Sequence, residues 1–114
     1  MAAVANLTID QGASFSSSVT VKDANGDPFD LTGFTAEAKM ALGYTSTRTR
    51  TTITTTFDSD RTTGIINLSL TAAQTAALDA PARYVYDIEI TYTADSSVTR
   101  VIEEIITVRP NVTI

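Results

Sequence analysis

Cysteine, histidine and tryptophan are all absent from the 114-residue sequence, and each absence removes a class of chemistry. Without Cys or His there is no thiolate nucleophile, no Ser-His-Asp relay and no imidazole base. Zinc sites built on those residues go with them. Zero Cys also removes any disulfide framework, so folding requires no oxidising compartment. Catalysis would have to rest on carboxylates, Lys, Tyr or a hard metal. Long apolar runs are missing too: no stretch approaches the roughly 18 residues that cross a bilayer as a helix. The start of the chain, "MAAVANLTID", has neither the basic end nor the apolar core of a signal peptide. A protein made in the cytoplasm, with no membrane partner, is therefore expected.

Basic charge is also in short supply. Lys and Arg number 8 against 13 Asp and Glu, a net charge of -5. A chain without a basic stripe cannot displace counterions from nucleic acid, so no nucleic-acid partner is expected. What is present is Thr in quantity with few Gly, a composition that leans toward strands. The length suits one domain spanning residues 1–114.

The hydrophobic pattern repeats with a period of two. Leu7 and Ile9 mark a short strand, and Phe15, Val19 and Val21 share a face of the next. Phe34, Ala36, Ala38 and Met40 alternate with Thr35, Glu37 and Lys39. Residues 43–58, "GYTSTRTRTTITTTFD", are predicted to form a Thr-rich hairpin arm anchored by Ile53 and Phe57. Within it Arg48 and Arg50 alternate like charges guarding an edge strand. Ile66, Leu68 and Leu70 define another strand. "TAAQTAAL" follows, where Thr71 and Gln74 have capping-box spacing and Pro81 blocks extension. One short helix over 71–78 is predicted, with Leu70, Ala73, Ala77 and Leu78 facing inward. The last two strands are the strongest: Tyr84, Tyr86, Ile88, Ile90 and Tyr92 alternate in one, and Ile102, Ile106 and Val108 in the other. Val101 and Ile105 then lie on the opposite face, which suits cover by a neighbouring subunit. Glu103-Glu104 is the expected place for a bulge. About seven strands and one short helix predict an all-β, antiparallel sandwich.

The candidate sites are few. In "DANGDPFDLTG", residues 23–33, Asp23, Asn25 and Asp27 alternate like the start of a calcium loop. A calcium loop also needs a Gly at its sixth position and a Glu at its twelfth, and here Pro28 and Phe34 stand there. Asn25-Gly26 reads instead as a type I′ hairpin turn. Asp58 with Asp60, and Glu103 with Glu104, are too close in sequence to face one another across a cleft as a glycosidase pair. No catalytic, cofactor or metal residue is expected. The Tyr-rich strand leaves room for a glycan-binding module, although alternation assigns most of its rings to the core.

With "DPFDLTGFTAEAKM" in view, the sequence resembles small immunoglobulin-like domains of tailed-phage structural proteins, including the N-terminal domain of baseplate upper proteins. The stretches that carry the resemblance are "GASFSSSVTV", "DLTGFTAEAKM", "LTAAQTAAL", "ARYVYDIEI" and "VRPNVT", in that order over residues 7–113. Glu104 departs from a Gly common among such domains. The resemblance implies an immunoglobulin-like sandwich and a non-enzymatic structural or adaptor protein of the virion, in the tail, baseplate or fibre-attachment region. Its partners would be other virion proteins, in a symmetric homo-oligomer or multi-copy assembly. A capsid decoration protein is the first alternative and a glycan-binding module for host attachment the second. In this setting Asp30, Leu31, Thr32 and Gly33 form a structural turn, with Leu31 as a core plug. Arg48, Arg50, Val101 and Ile105 are the candidate interface residues.

Overall fold

A computed structural model of the chain describes residues 6–43 and 49–112. It contains seven strands: β1 (Leu7–Asp10), β2 (Phe15–Thr20), β3 (Phe34–Ala41), β4 (Thr51–Phe57), β5 (Ile65–Leu70), β6 (Ala82–Tyr92) and β7 (Ser97–Arg109). Helix α1 (Ala72–Ala76) lies between β5 and β6, and a 3-10 turn occupies Arg61–Thr63. The strands hydrogen-bond in the series β1-β7-β6-β3-β4-β5-β2. The series folds over at β4 into two layers. Thr51, Thr52 and Ile53 pair with β3, whereas Thr54 to Phe57 pair with β5.

The alternation read from the sequence sets the faces. Ala38 and Met40, Ile66, Leu68 and Leu70, and Tyr84, Tyr86, Ile88 and Ile90 are all buried. They meet Ile9, Val19, Val21, Leu31, Ile53, Ile106 and Val108 in one core between the layers. All pairings are antiparallel except that β1 runs parallel to β7, from Leu7↔Ile106 to Asp10↔Arg109.

Several expectations are corrected. Of residues 43–58, 44–48 lie outside the described residues; Thr51–Phe57 form β4, which has neighbours on both sides and buries Ile53, so this strand is not an edge guarded by charge. Thr suits a strand that changes sheets. Where β4 leaves β3, the Thr55 hydroxyl donates to the Ala36 carbonyl at 3.1 Å, satisfying an acceptor near the end of the ladder. Arg50 precedes β4 and donates to the Gly43 carbonyl at 3.4 Å, while Arg48 lies outside the described residues.

Helix α1 is shorter than 71–78, and its inward face differs. The capping box forms as predicted: Gln74 N–H donates to Thr71 Oγ1 at 3.2 Å, and Thr71 N–H donates to Gln74 Oε1 at 2.8 Å. The residues turned inward are Thr75 and Leu78, with Ala73 and Ala77 exposed. The cause is polar. Thr75 Oγ1 accepts from Gly12 N–H at 3.0 Å and donates to the Ala13 carbonyl at 2.8 Å, tying the helix to the β1–β2 turn.

Asn25-Gly26 is not a type I′ turn, because Gly26 takes φ +85 and Asn25 does not have positive φ. The Asp23 carboxylate accepts from the amides of Asn25 at 2.9 Å and Asp27 at 3.0 Å. That local bonding selects a three-residue loop closed by a left-handed Gly. The bulge in β7 falls at Val101, two residues before the Glu pair, since Ile88 pairs with Ile102 but Glu89 with Arg100. The extra residue turns Val101 into the interior, where it is only 3% exposed, so it is not an outward interface residue. Ile105 stays half-buried on the outer face, opposite Val85.

Candidate functional site

One end of the sandwich gathers the loop over residues 23–33, the β6–β7 hairpin and the start of β7. Leu31 is fully buried, as the plug reading requires. Thr32 bonds the Asp30 carboxylate through its side chain and also through its N–H, which donates to Oδ1 at 3.0 Å, and together these hold the carboxyl of Asp30 below the usual carboxylate range. Gly33 has φ +82, and a Cβ there would lie 3.2 Å from the Tyr92 ring. Its carbonyl accepts from Thr93 N–H at 3.0 Å. The structural-turn residues thus close the domain end against the β6–β7 hairpin.

Beside that turn lies a cavity of about 390 Å3. Its apolar lining is Val21, Phe29, Phe34, Ile90, Tyr92 and Val101, and Lys22, Ser97 and Thr99 add polar groups. Phe34 meets Phe29 edge-on at 5.5 Å and Tyr92 at 5.0 Å, so the rings brace one another. Sequence alternation located Phe34 and Tyr92. It could not place Phe29, Lys22 and Val101 beside them, because loop closure and the bulge decide that.

The carboxylates do not converge. Asp23, Asp30, Asp58, Asp60 and Asp95 each accept from a backbone amide within four residues. Asp10 pairs with Arg109, while Asp87 and Glu103 share Arg100. No group of three metal-ligating side chains occurs among the described residues. No helix among them is long and apolar enough to cross a membrane. Tyr84 and Tyr86 are buried and Tyr92 braces Phe34, so these rings form no exposed row for a sugar.

The two outer faces contrast in charge. On β3, β6 and β7 the outward residues include Glu37, Lys39, Asp87, Glu89 and Glu103. On β2, β5 and β4 they form rows without charge: Ser16–Ser69–Thr54 and Ser18–Asn67–Thr56.

One polar contact was not foreseen from sequence. The Tyr84 hydroxyl accepts from Asp79 N–H at 2.8 Å, so a Tyr near the start of β6 bonds back to the preceding connection. This is the tyrosine-corner arrangement of immunoglobulin-type sandwiches. The strand order agrees with it, and the chain is an immunoglobulin-like β-sandwich. Among solved structures it is similar to a chicken TCR, with TM-score 0.58 and 10% identity over 95% of this chain and 54% of that one. It thus spans about half the length of that chain. It is also similar to the Lin-41 filamin domain, with TM-score 0.48 and 15% identity over 90% of this chain and 82% of that one. No family model and no curated protein matches the sequence. At such identities the likeness concerns the fold alone.

Proposed function

We propose that this domain is a non-enzymatic structural or adaptor protein of a tailed-phage particle, in the tail, baseplate or fibre-attachment region. The observation that carries the reading is the uncharged outer face of β2, β5 and β4. Depletion of charge is one mark of interface centres, and short Ser and Thr side chains lose little rotamer freedom when covered. A face of this kind suits repeated, modest contacts with other virion proteins, multiplied by symmetry. The opposite, charged face keeps the particle surface solvated. The ordered run of sequence stretches over residues 7–113 supports the phage setting.

The test is to purify particles and count copies of the chain by quantitative mass spectrometry, then locate it by imaging. Tens of copies at the tail are expected. Hundreds spread over the capsid would favour a decoration protein, and absence from particles would refute the reading.

A further inference from the structure

The loop over residues 23–27 carries a dipeptide that neither the fold nor the adaptor role accounts for: Asn25 is followed by Gly26. Residues 24–28 are exposed, and Asp23 at the base of the loop is half-buried. A side chain screens its own main-chain nitrogen from the preceding residue, and Gly has none to do so. The other asparagines, Asn6, Asn67 and Asn111, are followed by Leu7, Leu68 and Val112. Asn25 is thus the asparagine whose side-chain carbonyl the next main-chain nitrogen reaches with least obstruction.

The same loop holds that nitrogen back. Gly26 N–H donates to the Asp23 carbonyl at 3.0 Å, and Asp23 N–H donates to the Asp27 carbonyl at 2.8 Å. The Asp23 carboxylate accepts from Asn25 N–H at 2.9 Å and from Asp27 N–H at 3.0 Å, and Lys22 pairs with Pro28 below. Asp23 oxygens therefore receive the amides of Asn25, Gly26 and Asp27 together. While the loop is closed the Gly26 nitrogen is engaged, and it is released only by local opening. Exposed loops open at far lower free-energy cost than core strands.

We infer that Asn25 is a site of spontaneous covalent modification by water, timed by the bonds to Asp23. In the opened loop the Gly26 main-chain nitrogen attacks Cγ of Asn25. The bond from Cγ to the side-chain amide breaks, and that amide leaves as ammonia with the Gly26 proton. Water then opens the resulting five-membered ring at either carbonyl, leaving an aspartyl or an isoaspartyl residue at position 25. Each product carries one more negative charge than the present net -5, placed between Asp23 and Asp27. The isoaspartyl form also adds one carbon to the main chain, which draws Gly26 N–H off the Asp23 carbonyl. The domain end beside the structural turn thus changes charge and shape, in one direction, as the molecule ages. None of this depends on the particle setting.

The test incubates the purified full chain in warm, mildly alkaline buffer and follows it by mass spectrometry, with fragmentation that separates aspartyl from isoaspartyl products. A gain of about 1 Da is expected at Asn25 ahead of Asn6, Asn67 and Asn111, with both products present. Asp23→Ala removes two side-chain bonds that close the loop and should speed the conversion by about tenfold. Asp23→Asn keeps an acceptor oxygen while removing the charge, and should convert at Asn25 at close to the parent rate. In the urea-unfolded chain the conversion at Asn25 should be faster than in the folded one. Conversion first at another asparagine, or an aspartyl product alone, would overturn the proposal. An unchanged rate in Asp23→Ala, or equal acceleration in Asp23→Asn, would overturn the timing by Asp23.

Discussion

Thr75 offers the sharpest check on how the helix is seated. Its side chain is fully buried and its hydroxyl joins α1 to Gly12 and Ala13, more than sixty residues away in sequence. Thr75→Val keeps the shape and removes the hydroxyl, leaving Gly12 N–H without its acceptor and Ala13 C=O without its donor. Each buried group left unsatisfied costs about 1–3 kcal/mol. Both lie in a turn that is partly open to water, so the lower end applies, and the two together should cost about 2 kcal/mol. At about 2.1 cal/mol/K per residue, the unfolding entropy of a chain this size is roughly 240 cal/mol/K, so Tm should fall by about 8 °C. Thr75→Ser keeps the hydroxyl and loses one methyl, and should cost only about 1 kcal/mol. Thermal melts by circular dichroism, with urea unfolding as a second measure, read both variants. If Ala73 and Ala77 were the inward residues, Thr75 would be exposed and Val would lie within about 0.5 kcal/mol of the parent. A Val variant as stable as the parent, or a Ser variant less stable than the Val, refutes the seating described.

Further outcomes test other parts of the fold. Tyr84→Phe removes the acceptor of Asp79 N–H and should cost about 1–2 kcal/mol, read as a lower urea midpoint at unchanged slope. Gly64 has φ +72 and a Cβ there would collide with the Val21 carbonyl, whereas Gly26, at φ +85, faces open space. Gly64→Ala should therefore cost well over the roughly 1 kcal/mol expected of Gly26→Ala, and equal melting losses would contradict the packing. The Thr32, Thr62 and Ser97 groups that donate to Asp30, Asp60 and Asp95 hold those carboxyls below 3.8. A depressed folded value means stability present above 3.8 and lost as pH falls through the folded values. Replacing all three by Asn should flatten the fall in Tm seen on acidification. For Tyr86 the folded value is raised from 10.0 to about 12, so stability declines as pH rises through that window. Tyr86→Phe should lessen that alkaline decline, measured by urea unfolding across the same range.

The layered strands were legible because local alternation reports a two-sided environment. Ala38 and Met40 against Glu37 and Lys39, or Tyr86 and Ile88 against Asp87 and Glu89, each announce which side meets the core. The capping box at Thr71 and Gln74 was legible for the same reason, since both partners lie within one turn. Signals of longer range were not. Nothing in "TTITTTF" states that its halves pair with different strands. Nothing near Thr75 announces Gly12 as its partner. The bulge also escaped, because the Glu pair looked like the irregularity while the register with β6 placed it at Val101.

By itself the sequence determined the absence of Cys- and His-based chemistry, the strand periodicity and the local turn around Asp30. All of these depend on residues within a few positions of one another. Tertiary structure alone decided that Val101 is buried, that β4 joins the two layers, that Ser, Thr and Asn form an uncharged face, and that Glu104 lies in the inward row opposite Tyr86. Those properties depend on which strands become neighbours. Neighbours are chosen by the packing of the whole core, to which each local segment contributes only a part.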